Sequence, residues 1–400
     1  MQGIAAVVGG ILLNLAFGGL YAFSAMVPAL ESTGAMTRTD TAMVFALSTS
    51  SFMAGVWACS RLLRYRSAHA VAALAGIGAA AGLLICAWQA SLAVLVVAYS
   101  GIYGFCAGLG YALSLAGLAH AALKYPGRAT GIVVAAFAAG SVCWAQGFRR
   151  AIDHLGIPAT LLYSACVVAT LAMAAAIALW FVKAGNTSRR SDTPARMQRE
   201  PRVHAAGRSQ VPTLTLWLVF FGVASAGLTV IGQALQIIGS QDQYALIGVS
   251  IVALAGGANG IGRLIGGAVA DQSSSWVLLG LPLVLTFVGL TLLLVGGSLM
   301  SAYLAVLLIA SMYGWCSAAI PVAVLINYGE LRFSEVYGRV FTAWGAAGLI
   351  APWASGWAYA QQGHYQSSFV VLGLVSLVAI ASLGLSRKWL DMIGQRDKSG

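Results

Sequence analysis

The stretch "ANGIGRLIGGAVAD", residues 258 to 271, places one arginine among small and apolar residues, with an acid only at its far end. Apolar residues extend back to position 245, so the whole segment is long enough to cross a bilayer core of about 30 Å as a helix. In that helix Arg263 lies 271 − 263 = 8 residues from Asp271, roughly 12 Å along the axis. A guanidinium at that depth costs at least about 2.5–3.5 kcal/mol unless it faces a polar cavity. Asn259, at i−4, shares its side, and Gly260, Gly262, Gly266 and Gly267 permit close helix approach.

The rest of the chain has the same character. Its 400 residues are 60% hydrophobic and 8% charged, with a mean hydropathy of +0.85. Soluble domains carry roughly 25% charged residues. Twelve apolar spans are expected, near 4–30, 41–63, 68–88, 92–122, 129–150, 159–182, 213–239, 245–270, 276–297, 300–326, 335–360 and 367–387. Backbone groups in lipid must be satisfied within the segment, so the spans are helices and the fold class is an all-α polytopic membrane protein. The N-terminus turns apolar at once, without a basic leader or a cleavage site, and reads as an uncleaved first span. Six cysteines (59, 86, 106, 143, 166 and 316) fall inside spans and read as small packing residues.

Charge placement sets the orientation. With both termini cytoplasmic, Arg38, Arg149 and Arg150 lie outside and Arg263 lies in a span, leaving 22 − 3 − 1 = 18 of the Lys and Arg on the cytoplasmic side. The net charge of +11 is thus topological, and basic loops favour anionic lipid headgroups. The polar, basic run 183–212 reads as a flexible cytoplasmic linker; no aromatic residue interleaves its arginines, which argues against a nucleic-acid partner. It divides the chain into an N-terminal six-helix bundle (1–182) and a C-terminal one (213–388), followed by a cytoplasmic tail (389–400).

The halves repeat each other. "YGFC" at 103–106 returns as "YGWC" at 313–316, an offset of 313 − 103 = 210. "GGLY" at 18–21 has "AGLT" at 226–229, and the glycines of "YPGRATG" and "VYGRVFT" stand at 127 and 338. Three near-equal offsets argue for a duplicated six-helix unit, and hence two pseudo-symmetric bundles. Such repeats mark secondary transporters, whose solute site lies between the halves near the midplane.

Twelve spans, the central loop and the repeat resemble the major facilitator superfamily, and Gly267-x-x-x-Asp271 resembles its loop signature. The corresponding loop "CSRLLRYRSAH" departs from it, with Leu63 or Arg64 where an Asp is expected. "LNLAFGGLYAFSAMVPALE", "KYPGRATGIVVAAFAAG", "NGIGRLIGGAVAD" and "GRVFTAWGAAGLIAPWASGW" together resemble the oxalate/formate antiporter and monocarboxylate transporter branch. That resemblance implies a substrate-binding arginine at Arg263. Oxalate-exchanging members carry a lysine in span 11 where this chain has Trp344, so the departure implies a monocarboxylate rather than oxalate.

The residues themselves point to an anion. Glu31, Asp40, Asp153 and Asp242 are expected outside, and Asp192, Glu200, Asp271, Glu330, Glu335, Asp391 and Asp397 inside; these are all 11 acids, and none lies deep in a span. Arg263 therefore lacks a fixed counter-charge, and a guanidinium fork matches a carboxylate bidentately. The competing reading makes it a brace on helix carbonyls or tyrosine oxygens. Substrate-binding candidates are Arg263, Asn259, Trp344, Tyr21, Tyr111, Trp315 and Gln233, with Gln146, Gln236 and Tyr313 as other in-span polar residues; Tyr103 and Tyr313, related by the repeat, read as structural.

No histidine or carboxylate within a span offers a proton relay, which weighs towards exchange or facilitated diffusion, with a proton or a counter-anion left open as the coupling species. The gate is expected to pair Asp271 with Arg128 and Arg339 with Glu335. No Walker loop, metal cluster or nucleophile motif is present, so neither an enzyme nor a cofactor is expected. The function read from the sequence is a monomeric secondary transporter of a small organic anion in a bacterial inner membrane. The alternative is a carrier of a neutral solute, or a drug efflux pump, with Arg263 structural.

Overall fold

A computed structural model describes residues 2–32, 36–121, 123–182, 211–238 and 245–399. Of the expected linker 183–212, only Val211 and Pro212 fall within the described residues. Nine described helices are long and apolar enough to cross a membrane. Two of them are each a pair of helices joined at a glycine with left-handed φ: 76° at Gly156 and 73° at Gly329. Only glycine adopts such a φ without strain, so the two glycines end one helix and start the next. Adding the helix Ala245–Ala270 gives 9 + 2 + 1 = 12 crossings.

In chain order the crossings are α1 (Gln2–Phe17), α2 (Arg38–Tyr65), α3 (Ala68–Trp88), α4 (Leu92–Ala119), α5 (126–155) and α6 (157–180). The second half contains α7 (Thr213–Gly232), α8 (Ala245–Ala270), α9 (Ser275–Val295), α10 (299–328), α11 (330–362) and α12 (Gln366–Ser399). α1 tightens into a 3₁₀ stretch over Gly18–Ala25 before the short helix Val27–Ser32, and α4 opens with a π-helical stretch over Leu95–Tyr103. Such departures within a helix often mark functional regions. The fold is all-helical with two six-helix halves, in agreement with the sequence. Cys59, Cys86, Cys106 and Cys316 are buried as packing residues; Cys143 and Cys166 instead face outwards.

Close packing follows the repeat. Gly19 abuts the Tyr103 hydroxyl, and Gly227, at an offset of 227 − 19 = 208, abuts the Tyr313 ring. In the first half Gly104 and Gly108 lie against the backbone of α2 at Ser48 and Phe52; in the second, Gly314 lies against the α8 backbone at Asn259 and Gly262 against α10 at Ser311. Backbones that approach this closely leave no room for a Cβ, which is how small residues join helices in lipid.

The end bearing the chain termini and the linker residues is closed. There Gly267 of α8 meets the backbone of Gly127 and Gly131 in α5, and Gly338 of α11 lies near Trp57 of α2. Towards the other end, hereafter distal, Gly256 and Gly260 have nothing within 4 Å of an added Cβ, although they share the α8 face of Gly267. α8 therefore parts from α5 away from the linker end, and a cleft between the halves widens distally.

These contacts set a paired test. Gly314→Val, whose side chain would meet the α8 backbone, is expected to lower stability by about 1–3 kcal/mol or more. Gly256→Ala should leave the melting temperature in detergent unchanged or slightly raised.

Candidate functional site

At the base of the cleft a small cavity is lined from both halves. Tyr21 of α1, Phe52 of α2, Tyr111 of α4 and Phe137 of α5 face Phe220 of α7, Arg263 of α8, Tyr313 and Ser317 of α10, and Phe341 and Trp344 of α11. Its volume is about 20 Å³ on the measure by which one water needs roughly 10–15 Å³. The 3₁₀ stretch of α1 carries Tyr21 here, and the Trp144 indole N–H donates to the Leu15 carbonyl where α1 changes winding (2.8 Å). The walls are rings in contact: Phe341 stacks on Trp344 at 5.1 Å, Phe52 lies 5.6 Å from Trp344, and Tyr21 meets Trp344 edge-on at 6.4 Å.

Arg263 is 7% exposed. Its Nε donates to Asn259 Oδ1 (2.9 Å), and its Nη1 donates to the carbonyl of Val134 on α5, in the other half (2.8 Å). Asn259 in turn donates from Nδ2 to the Ala310 carbonyl of α10 (3.1 Å). Nη2 makes no hydrogen bond among the described residues, and no described carboxylate lies within ion-pair distance of the guanidinium. Burying a guanidinium is costly unless its N–H groups find acceptors.

The expected site residues divide. Arg263, Trp344, Tyr21 and Tyr111 line the cavity together. Asn259 is not a lining residue: both ends of its amide are committed, and it positions Arg263. Trp315 is buried elsewhere, its indole N–H donating to the Leu278 carbonyl of α9 (3.1 Å). Gln233 donates to the Pro352 carbonyl of α11 (2.9 Å), also outside the cavity, and Gln146 and Gln236 are exposed. Tyr313, read as structural, also lines the cavity, and its hydroxyl accepts from the Trp344 indole (2.7 Å). Phe52, Phe137, Phe220 and Phe341 were not singled out by the sequence, because apolar residues in an apolar chain carry little signal, and neither was Ser317, one small hydroxyl among many. Phe52 had one: at 263 − 52 = 211 it is the repeat counterpart of Arg263.

Of the two expected gate pairs, Arg339–Glu335 forms and Asp271–Arg128 does not. Asp271 does not meet the Arg128 guanidinium. Its carboxylate accepts from the backbone N–H of Gly127 (2.6 Å) and of Arg128 (2.9 Å), capping the first turn of α5. Those N–H groups lack intrahelical partners and sit at the positive end of the helix dipole, so they outcompete an exposed guanidinium. The Arg128 guanidinium instead lies over the Tyr125 ring, 4.9 Å from its centroid. Arg339 donates to Glu335 (2.6 Å), and Arg64, in the last turn of α2 where the sequence lacks the expected acid, reaches Glu335 from the first half at 3.8 Å. Both members of that last pair are well exposed, and such pairs contribute little.

Solved structures share this architecture. The chain superposes on the proton:xylose symporter XylE with a TM-score of 0.69, at 13% identity over 95% of this chain and 94% of that one. The human organic anion transporter MFSD10 gives 0.69 at 16% identity (94% and 99%), and FucP in its outward conformation gives 0.62 at 13% (94% and 97%). The fold is that of the major facilitator superfamily. No family model matches the chain, and no curated protein matches its sequence. Identities this low establish the fold alone.

Within this fold the Asp271 cap ties α8 to α5 at the closed end. Asp271→Asn removes the charge facing the helix dipole, an effect of about 0.5–1 kcal/mol. The expected result is a two- to five-fold faster maleimide reaction of a cysteine placed at Thr130, buried on α5 near that seam, in a background lacking Cys143 and Cys166.

Proposed function

We propose that this protein is a secondary transporter that carries a small monocarboxylate across the membrane by alternating access, as an exchanger or facilitator, with Arg263 as the substrate's counter-charge. One observation carries the reading: a buried guanidinium, without a carboxylate partner among the described residues, on the wall of a cavity between two six-helix halves. The carboxylate would take the unfilled edge of the guanidinium, and the phenols of Tyr21, Tyr111 and Tyr313 offer further hydroxyls. The rings of Phe52, Phe137, Phe220, Phe341 and Trp344 suit an apolar remainder and offer a second carboxylate no cation. Asn259 serves as a positioning residue.

The excess of Lys and Arg in the linker-end loops supports a cytoplasmic linker, tail and termini, which makes this an outward-facing arrangement. On that orientation Asp271, Arg128, Arg339 and Glu335 belong to the cytoplasmic gate. Residues 1–182 and 213–388 act as the two rocking bundles in a bacterial inner membrane, as a monomer. The similarity to an organic anion transporter fits this substrate class, while XylE and FucP, a xylose symporter and a fucose symporter, fit the alternative of a neutral solute. That alternative also draws on the Arg263–Val134 bond, which is what a brace between halves would make.

Counterflow in proteoliposomes separates the two. Uptake of one member of a panel of formate, acetate, lactate, pyruvate, glycolate and oxalate is expected, falling at least about thirty-fold in Arg263→Gln, since truncating one partner of a buried charge pair costs about 2–5 kcal/mol. Arg263→Lys, which keeps the charge but loses the fork, should be intermediate. Uptake independent of Arg263, or confined to sugars, would establish the brace.

A further inference from the structure

Beneath the cavity, at the linker end, the repeat brings two corresponding residues together. His120 caps the end of α4 and Glu330 opens α11 directly after the turn at Gly329; their separation in sequence, 330 − 120 = 210, is that of Tyr103 and Tyr313. The same position in each half has thus become a histidine in one and a glutamate in the other. The two meet across the interface, with His120 Nδ1 2.8 Å from Glu330 Oε1 and each side chain about one-third exposed. We propose that His120 and Glu330 form a proton site whose occupancy depends on which end of the transporter is closed.

The chemistry follows from the placement. A neutral imidazole can only hydrogen-bond the carboxylate, whereas a proton on the ring converts the contact into an ion pair. The pair exists only while the halves meet at the linker end. Separating them there returns both side chains to water, where the proton gains no partner. By reciprocity, closing this end strengthens proton binding and proton binding favours closure. Histidine is the side chain whose charge ordinarily changes between pH 5 and 8. Protonation on the linker side then biases the cycle towards the state closed on that side.

Several other charged groups of this end have their own partners, while Arg66 and Arg387 are exposed. Asp271 is held by backbone N–H groups of α5, and Glu335 by Arg339 and Arg64. Lys124 and Arg128 lie over the Tyr125 ring, Arg332 lies over Tyr328, and Arg61 over Trp57. Among the described residues Glu330 has no other ion pair, and His69, the other described histidine at this end, lies tilted against Trp180 and hydrogen-bonds Ser67 within the first half. His120 is thus the described histidine at this seam that reaches across it. The inference uses the proposed alternating access but is independent of which solute is carried.

The test needs no substrate. Spin labels on cysteines at Tyr65 and Leu331, exposed positions at the linker end of the two halves, report their separation in nanodiscs by double electron–electron resonance, with Cys143 and Cys166 replaced by serine. Lowering the pH from 8 to 5.5 is expected to raise the ratio of short- to long-distance populations by up to about five-fold, the range of a partly exposed ion pair. His120→Gln and Glu330→Gln should each abolish that response, and His120→Lys should hold the acid ratio at both pH values. An equal response in His120→Gln, or none in the unsubstituted protein while both distances are populated, overturns the proton site alone. A single distance under every condition overturns alternating access as well.

Discussion

A guanidinium inside a bilayer must be solvated by the protein or by what the protein carries, and the arrangement around Arg263 follows from that need. Asn259 takes its Nε and is itself held by α10, while the Val134 carbonyl takes one Nη from the opposite half. These bonds require α8 to lie against α10 on one side and α5 on another, and the glycines make both approaches possible: Gly262 against Ser311, Gly267 against Gly127 and Gly131. Since each of those contacts is backbone to backbone, α8 has little freedom to turn Arg263 towards lipid. The charge is fixed in direction as well as in depth, and its unfilled edge borders the cavity.

Duplication supplied the scaffold, and departures from it supplied the chemistry. Gly19 with Tyr103 and Gly227 with Tyr313 are the same packing device used twice, yet only Tyr313 reaches the cavity. Arg263 and Phe52 occupy corresponding positions and line the same cavity from opposite halves, one as charge and one as apolar wall. His120 and Glu330 correspond in the same way and bind each other. A symmetric pair of helices thus carries an asymmetric set of functional groups. The linker-end seam shows this too, with Asp271 capping α5 on one side and the exposed Arg64–Glu335 pair on the other.

Much of this was legible in the residues. Spans, their number, the two halves and the uncompensated Arg263 all follow from local properties: an apolar run long enough for a bilayer, a repeat offset, and a charge with no acid at its depth. Trp344, Tyr21 and Tyr111 could be selected because polar and aromatic side chains stand out in apolar helices, but so do Trp315 and Gln233, which bond to carbonyls elsewhere. Depth in a span is a property of sequence; the direction a side chain takes depends on which neighbouring helix packs against which face.

The sequence by itself therefore determined the class of protein, the all-helical twelve-span fold, its division into repeated halves and the arginine set within a span. Only the tertiary structure decided that Asn259 positions rather than lines, that Tyr313 faces the cavity, and that Asp271 binds the start of α5 instead of the Arg128 side chain. It alone brought His120 to Glu330. The physical reason is common to all of these: hydrophobicity and length act along one helix, whereas a hydrogen-bond partner is chosen between helices. That choice is made only when glycine contacts have fixed how closely and at what rotation the helices meet.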